Sequence, residues 1–352
     1  MKVLIQKPTL ELIVLNTNPY LEKKDASAIT SHILISADEI LKIKVTDHEI
    51  GLSCKVENST ILEKGEATAN GKKLLEVIKC LKDGEITLET VGNYLYIKQS
   101  RSRYKLPMYN PKDFPSFPEN SKKNKFDINA ITIGRGLKKI IPCIGTNNLK
   151  HELNGALIDI KEDNINLVST DTKKMALYKI NIKTDSAKKL IIPKKAIVEM
   201  QKLFSDNIEI YYDENVLLAI SNNFEFFTKL INGKFVDYEM LLKNEPRISL
   251  KLNRDKFLES IKSISIGEQT KITFKPTEIV FESINDDNSE AKTENDINLP
   301  IEEEFSVKLK NRAIIDFLTS IENSEFTFKY QNSGMAVYFE CDDLITVIMP
   351  LN

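Results

Sequence analysis

Three stretches of this chain share one pattern, and their spacing sets the architecture before any single motif is weighed. They are KKLLEVIKCLKDGEITLE from Lys72, KKAIVEMQKLFSDNIEIYY from Lys194 and NRAIIDFLTSIENSEFTFKY from Asn311. Each is a basic or polar pair, an amphipathic run, a polar break and an alternating apolar run. Lys73 and Lys195 lie 122 residues apart, and Lys195 and Arg312 lie 117 apart. Leu74, Leu75, Ile78 and Leu81 share one helical face; Ala196, Ile197, Met200 and Leu203 repeat it. Ala313, Ile314, Phe317 and Ser320 nearly do so. Pro193 stands just ahead of the second run, where a missing N–H costs nothing. The following runs alternate with the period of a strand: Ile86 and Leu88, Ile208 and Ile210, Phe326 and Phe328.

A second element recurs in the same register. An alternating strand leads into a helix at Gln6, Asn129 and Asn253, 123 and 124 residues apart. Thr46-Asp47 and Thr170-Asp171, each closing a strand, are also 124 apart. The fold class is therefore α+β, with three repeated domains, each two helices on an antiparallel sheet. The expected boundaries give residues 1–122, 123–246 and 247–352, at the polar stretches around Ser121-Lys122 and Glu245-Pro246. Repetition alone is also compatible with an open tandem array.

The chain has 352 residues, 41% hydrophobic and 28% charged, enough for a large core without disulfide or metal staples. Cys54, Cys80, Cys143 and Cys341 form no C-x-x-C pair, and His32, His48 and His151 lack metal-ligand spacing. Unpaired cysteines fit a reducing cytoplasm. No run approaches the roughly 18 apolar residues of a membrane helix. The start, MKVLIQKPTLEL, is too short and charged for a secretory signal.

The net charge is −2, so the distribution of charge has to carry any argument about nucleic acid. The helices hold much of the positive charge. Lys72, Lys73 and Lys79 fall on one; Arg135, Lys138 and Lys139 on the next; Lys194, Lys195 and Lys202 on a third. Arg254, Lys256 and Lys262, then Lys310 and Arg312, mark the last two. Cations at matched repeat positions, without an aromatic stacking platform, point to sequence-blind contact with duplex phosphates.

Catalytic patterns are missing. Gly134-Arg135-Gly136 is only a G-x-G, and no G-x-x-x-x-G-K-[ST], G-x-S-x-G or H-E-x-x-H occurs. Asp286-Asp287 and Glu302-Glu303-Glu304 read as solvated acids, not as a metal site. No cofactor and no metal are expected.

SRSRYKLPMYNPKDFPSF from Ser100, LNGALIDI from Leu153, STDTKKMAL from Ser169, FTKLINGKFVDY from Phe227 and the ending Val347-Ile348-Met349-Pro350-Leu351 together resemble one family. It is the beta sliding clamp subunit of bacterial DNA polymerase III, and the resemblance covers essentially the whole chain. It implies the DNA clamp fold, closed as a head-to-tail homodimer ring around duplex DNA. It also implies a non-catalytic, cytoplasmic processivity factor, with the polymerase III catalytic subunit, the clamp loader and other clamp-binding peptides as partners.

Residue by residue, the resemblance assigns DNA contact to Lys24, Lys72, Lys79, Asn147, Lys150 and His151, and the charge on the helices adds Arg135, Lys138, Lys194 and Lys202. It assigns a partner-peptide groove to Leu153, Thr170, Lys173, Lys174, Met175, Val236, Met240, Leu241, Val347, Met349, Pro350 and Leu351. Thr172, Lys173 and Lys174 replace the family's common Gly-His-Arg, and Val236 its proline. Met240 replaces a basic residue, and Asn352 ends the chain one residue early. The dimer contact is expected to set Lys73, Arg101 and Arg103 against Glu290 and Glu294, with Leu75, Tyr104, Ile264 and Ile266 as its apolar part.

Two other classes compete. A clamp-like recruitment scaffold that does not encircle DNA would lack positive charge on its helices, which is present. A DNA-processing enzyme would need a convergent His or carboxylate cluster, and the sequence suggests none.

Overall fold

The structure, a computed structural model, describes residues 1–121, 123–184, 187–205, 207–243, 246–265, 267–284 and 290–351. Its helices begin where the repeats predict. α1 (Lys7–Thr17) follows strand Lys2–Gln6, and α2 (Gly71–Cys80) follows Gly65–Asn70. α3 (Ala130–Ile140) follows Asn124–Asn129, and α4 (Lys194–Leu203) follows Lys188–Pro193. A short α5 (Tyr238–Leu242) comes next. α6 (Arg254–Ser263) follows Ile248–Asn253, and α7 (Asn311–Ser320) follows Phe305–Lys310. The switch from strand to helix has a local cause. Asn70 Oδ1 accepts from Lys73 N at 3.1 Å, and Asn253 Oδ1 from Lys256 N at 3.0 Å. Each asparagine thus stops a strand and satisfies a free amide of the first helical turn.

The contacts divide the chain into two compact units: Met1–Ile131 with Lys202–Leu230, and Thr132–Gln201 with Ile231–Asn352. The first holds two antiparallel sheets. One runs in the order Ser59–Glu63, Lys2–Gln6, Glu85–Val91, Tyr94–Gln99, Ser102–Pro107. The other has eight strands, from Asn124–Asn129 through Asn207–Tyr212, Val216–Ile220 and Phe224–Lys229 to Ile50–Val56, Leu41–Thr46, His32–Ala37 and Gly65–Asn70. α1 and α2 pack on each other, and Val3, Ile5, Leu10, Ile33, Leu74 and Ile78 are buried.

The second unit repeats this plan. Its eight-stranded sheet runs Lys188–Pro193, Gly155–Ile160, Asn164–Thr170, Lys174–Asn181, Leu344–Ile348, Val337–Cys341, Glu325–Tyr330, Ile248–Asn253. A four-stranded sheet runs Glu290–Asp296, Glu278–Ile284, Gln269–Phe274, Phe305–Lys310.

Two units appear against three sequence repeats because the middle repeat is shared out by backbone pairing. Phe224–Thr228 pairs with Ile50–Cys54, and Lys174–Tyr178 pairs with Leu344–Ile348. Each joint zips a strand of residues 123–246 to a neighbouring repeat. Contact density therefore follows the sheets and not the linkers.

The recurring Thr-Asp is a turn device. Asp47 Oδ1 accepts from Glu49 N and Ile50 N at 3.0 and 2.9 Å, and Thr46 Oγ1 accepts from His48 N at 3.0 Å. Asp171 Oδ1 accepts from Lys173 N and Lys174 N at 2.9 Å each, and Thr170 Oγ1 from Thr172 N at 3.1 Å. The residue at the turn is left-handed in both copies, His48 at φ 73° and Thr172 at φ 80°. The G-x-G of α3 is also structural. A Cβ on Gly136 would meet Tyr178 Cδ1 at 2.5 Å and Leu167 Cδ1 at 2.7 Å, so this glycine lets the helix lie on the sheet.

Candidate functional site

Strand Lys174–Asn181 sends alternate residues to opposite faces of its sheet. Met175 and Leu177 fall on one face and join a buried apolar cluster with Leu153, Leu157, Val168, Phe235, Tyr238 and Val347. Val236, Leu242, Ala336 and Ile345 pack against that cluster. Above it stand exposed apolar side chains from three segments: Met240 (64%) and Leu241 (43%) of α5, Met349 (42%), and Met335 (41%) beside Ala336. The predicted groove residues thus separate into a floor and a rim. Leu153, Thr170, Met175 and Val347 are floor, already covered by the chain's own packing. Met240, Leu241 and Met349 are rim, and Pro350 and Leu351 continue the same terminal segment. Met349 N donates to Lys173 O at 2.9 Å, which ties the chain end beside the Thr170 turn. The side chain of Lys173 is exposed beside that turn.

One predicted groove residue is displaced. Lys174 alternates with Met175, and its ammonium pairs with Asp316 of α7 at 3.3 Å. It braces the helix layer and offers no free charge to the groove. Asn352 lies outside the described residues.

A buried polar network holds the rim helix. Tyr238 Oη donates to Asp159 Oδ2 at 2.6 Å and accepts from Asn166 Nδ2 at 3.0 Å. Burial, then the bond to Asp159, pushes the Tyr238 hydroxyl up to about 12. Tyr338 Oη donates to Leu241 O at 2.7 Å. Asp237 caps α5, Oδ1 accepting from Met240 N at 3.4 Å, and Lys161 pairs with Glu239. Sequence reasoning missed Asp159, Asn166, Tyr238 and Tyr338. Tyr238 lies inside the FTKLINGKFVDY motif, but the partners of its hydroxyl are far away in sequence.

The predicted DNA-contact residues are mostly exposed. Lys72 and Lys79 stand out from α2, Arg135 and Lys138 from α3, and Lys202 from α4. Lys24 is exposed in the loop after α1, where its N–H donates to Glu22 Oε1 at 2.6 Å. Asn147, Lys150 and His151 are exposed in a loop built by Asn148 and Asn154. Asn148 N donates to Asn154 Oδ1 at 2.8 Å, and Asn154 Nδ2 donates back to Asn148 O at 2.9 Å. Lys194 is half-buried, its ammonium donating to Thr146 Oγ1 at 2.7 Å and Ile144 O at 3.3 Å. It fixes that loop from below.

The expected basic surface is uneven. α1 shows Leu12 and Leu15 to solvent, and its Lys7 is taken by Glu11 at 2.6 Å and Asp83 at 3.4 Å. Arg254 donates to the carbonyls of Ile321 and Glu322 at 3.0 and 3.1 Å, just beyond the end of α7. Lys256 and Lys262 of α6 are exposed.

Two sheet edges carry the predicted dimer residues. The Ser102–Pro107 edge, preceded by exposed Arg101, bears Arg103, which lies 4.0 Å over the Tyr96 ring, and half-buried Tyr104. The Glu290–Asp296 edge exposes Glu290 and Glu294, the latter paired with Lys292 at 2.6 Å. Lys73 is exposed and Leu75 half-buried on α2. Ile264 is a correction: at 2% exposure it is core and has no surface left for a partner. Ile266 lies outside the described residues.

Among the described residues no group of three His, Cys, Asp or Glu could hold a metal ion, and Asp286-Asp287 lie outside them. No helix among the described residues is long and apolar enough to cross a membrane.

Comparison with known proteins agrees with this geometry. The family model described as DNA polymerase III beta subunit, N-terminal domain, matches residues 1–118, and that of the central domain matches 127–237. The beta sliding clamp of Helicobacter pylori strain J99 is 36% identical over 340 residues, 94% of this chain and 91% of its own. A Pseudomonas putida beta sliding clamp is 27% identical over 228 residues, 63% of this chain and 62% of its own. A crystal structure of the Helicobacter pylori beta clamp bound to a DNA ligase peptide superposes with a TM-score of 0.94 at 32% identity, covering both chains fully. The Pseudomonas aeruginosa polymerase III beta subunit shares the fold, with a TM-score of 0.92 at 22% identity over the full length of both chains.

Proposed function

This chain belongs to the family of DNA polymerase III beta subunits, the beta sliding clamps, and from that premise we propose that it encircles duplex DNA as a head-to-tail homodimer ring. Each copy contributes three clamp domains, residues 1–122, 123–246 and 247–352. The ring tethers the replicative polymerase and is a non-catalytic subunit of its holoenzyme, working in the cytoplasm. Four free cysteines suit that reducing compartment.

The observation that carries the ring is the charge of its two open edges. Arg103 and Lys105 lie on the unpaired side of one sheet, and Glu290, Glu294 and Asp296 on the unpaired side of another. Open edges invite pairing, and opposite charges fix partner and register more than they add affinity. The aromatic seat of Arg103 on Tyr96 holds the guanidinium in place for a partner carboxylate. Arg103→Glu is expected to weaken the dimer, read by analytical ultracentrifugation. An unchanged dimer constant removes this assignment.

Within the ring, exposed lysines and arginines of α2, α3 and α4 meet phosphates without reading bases, which permits sliding and makes the contact sensitive to salt. The apolar groove takes short peptides of the polymerase, the clamp loader and other partners. The ligase peptide bound to the Helicobacter pylori clamp supports that reading. Two buried apolar anchors would each contribute about 1.5–3 kcal/mol before ordering costs, an affinity suited to exchange.

The test is to load the protein onto nicked circular plasmid with its loader and ATP, and then to linearise the DNA. Retention on the circle and release on linearisation are expected of a closed, sliding ring. Equal retention on both would mean that it grips DNA by contact, and the proposal would fall.

A further inference from the structure

We propose that the outer face of the eight-stranded sheet in the first unit carries a second docking site, for an extended acidic peptide. The site is a pocket of about 580 Å³ beneath the segment of residues 116–121. Lys42, Lys44, Lys55 and Ser53 belong to its lining. In the strand register Lys42 lies directly opposite Lys55, and Lys44 directly opposite Ser53. Like charges set opposite each other destabilise a sheet unless something neutralises them. None of the three lysines has an ion-pair partner among the described residues. Asp38 is paired with Lys64 at 2.6 Å, and the charge of Lys42 reaches it only as a lesser, longer-range attraction. Lys44 is steadied instead by Phe117, its ammonium 5.4 Å from the ring, and Phe117 packs edge-on against Phe227.

A serine lies under the same lysines. Ser53 is 95% buried, lines the pocket, and its hydroxyl has no hydrogen-bond partner among the described residues. That hydroxyl faces the pocket's solvent and adds a neutral donor or acceptor beside the three cations.

The spacing selects the ligand class. Lys42 and Lys44 are two apart on one strand, so their stems stand roughly 6.8 Å apart. Alternate side chains of an extended peptide have the same repeat, whereas the charges of a single small anion are much closer together. Glu119 and Glu225 also line the pocket and would repel a continuous run of acids. Carboxylates at every second position, with neutral residues between, fit both constraints. This site is separate from the apolar groove and does not rest on the ring reading.

The probe is a fluorescein-labelled (Glu-Ala)₄ peptide, with (Lys-Ala)₄ as control, titrated into the intact protein and followed by anisotropy. Binding of the acidic peptide alone is expected, weakened at least tenfold by Lys42→Ala with Lys55→Ala and a few-fold by Ser53→Ala. Lys251→Ala with Lys308→Ala, exposed on strands of the second unit, is the control for attraction to any lysine and should leave affinity unchanged. No binding, or equal losses in the two double variants, overturns the proposal. Circular dichroism melts check that each variant is folded.

Discussion

Tyr238 donates its hydroxyl to Asp159 at 2.6 Å, a bond between two residues that are 1% and 2% exposed. It anchors α5, and with it Met240 and Leu241, above the apolar cluster. Tyr238→Phe keeps the ring and removes a hydrogen bond to a buried carboxylate, which keeps only Lys161 and Lys189 at 3.8 and 3.9 Å, a change that costs about 1.5–3 kcal/mol. Denaturant unfolding should register that loss. The tyrosine's hydroxyl is pushed up to about 12, so its contribution is complete below the ordinary tyrosine value near 10. It is lost as pH rises from there through about 12. Phenolate absorbance of the folded protein should show a late-titrating tyrosine, absent in the variant. A titration identical in both proteins would refute this.

Thr172 shows how a substitution can leave strain behind. It sits at φ 80°, a left-handed conformation that a β-branched residue adopts at a cost of about 1–2 kcal/mol. The Thr170 and Asp171 bonds hold the turn regardless. Thr172→Gly relieves the strain but adds unfolded-state entropy, for a net gain of about 0.5–1 kcal/mol. A rise in the denaturation midpoint is expected; a fall would show that the threonine side chain contributes more than its backbone costs.

The strand-to-helix junctions were legible because they rest on local rules. Apolar period, a proline and the recurring strand-to-helix register mark them within a few residues of sequence. The family motifs likewise named segments that meet around the apolar cluster. What escaped notice depends on distant partners. Nothing near Lys174 announces Asp316, 142 residues on, and nothing near Tyr238 announces Asp159, 79 residues back. Strand alternation could have flagged Lys174, because it cannot share a face with its neighbour Met175. Ile264 was placed at a contact by motif analogy, where its burial depends on tertiary packing.

The cysteines sit in sharply different surroundings. Burial pushes the thiols of Cys54 and Cys143 up to about 12 and raises that of Cys341, while Cys80 is exposed on α2. The thiolate is the reactive form, so buried thiols with raised values stay inert near neutral pH. One fast thiol per chain is expected with a disulfide reagent at pH 8 under native conditions. Cys80→Ser should abolish it. A second fast thiol would mean that one of the buried sites opens readily.

Met240 and Lys174 are assigned to the same groove by motif, yet their surroundings predict opposite phenotypes. Met240 is 64% exposed, so Met240→Ala removes little from the fold. It should cost a bound peptide about 1–2 kcal/mol, up to some thirtyfold in affinity, if its side chain covers an apolar anchor. Lys174 is mostly buried against Asp316, which Arg312 also contacts at 2.8 Å. Lys174→Ala should therefore destabilise the protein by about 1–2 kcal/mol, the remaining arginine limiting the loss. Peptide affinity should hardly change. Calorimetric titration with a clamp-binding peptide, paired with unfolding of the same two variants, separates the roles. Lys174→Ala with full stability and weakened binding would return that lysine to the groove.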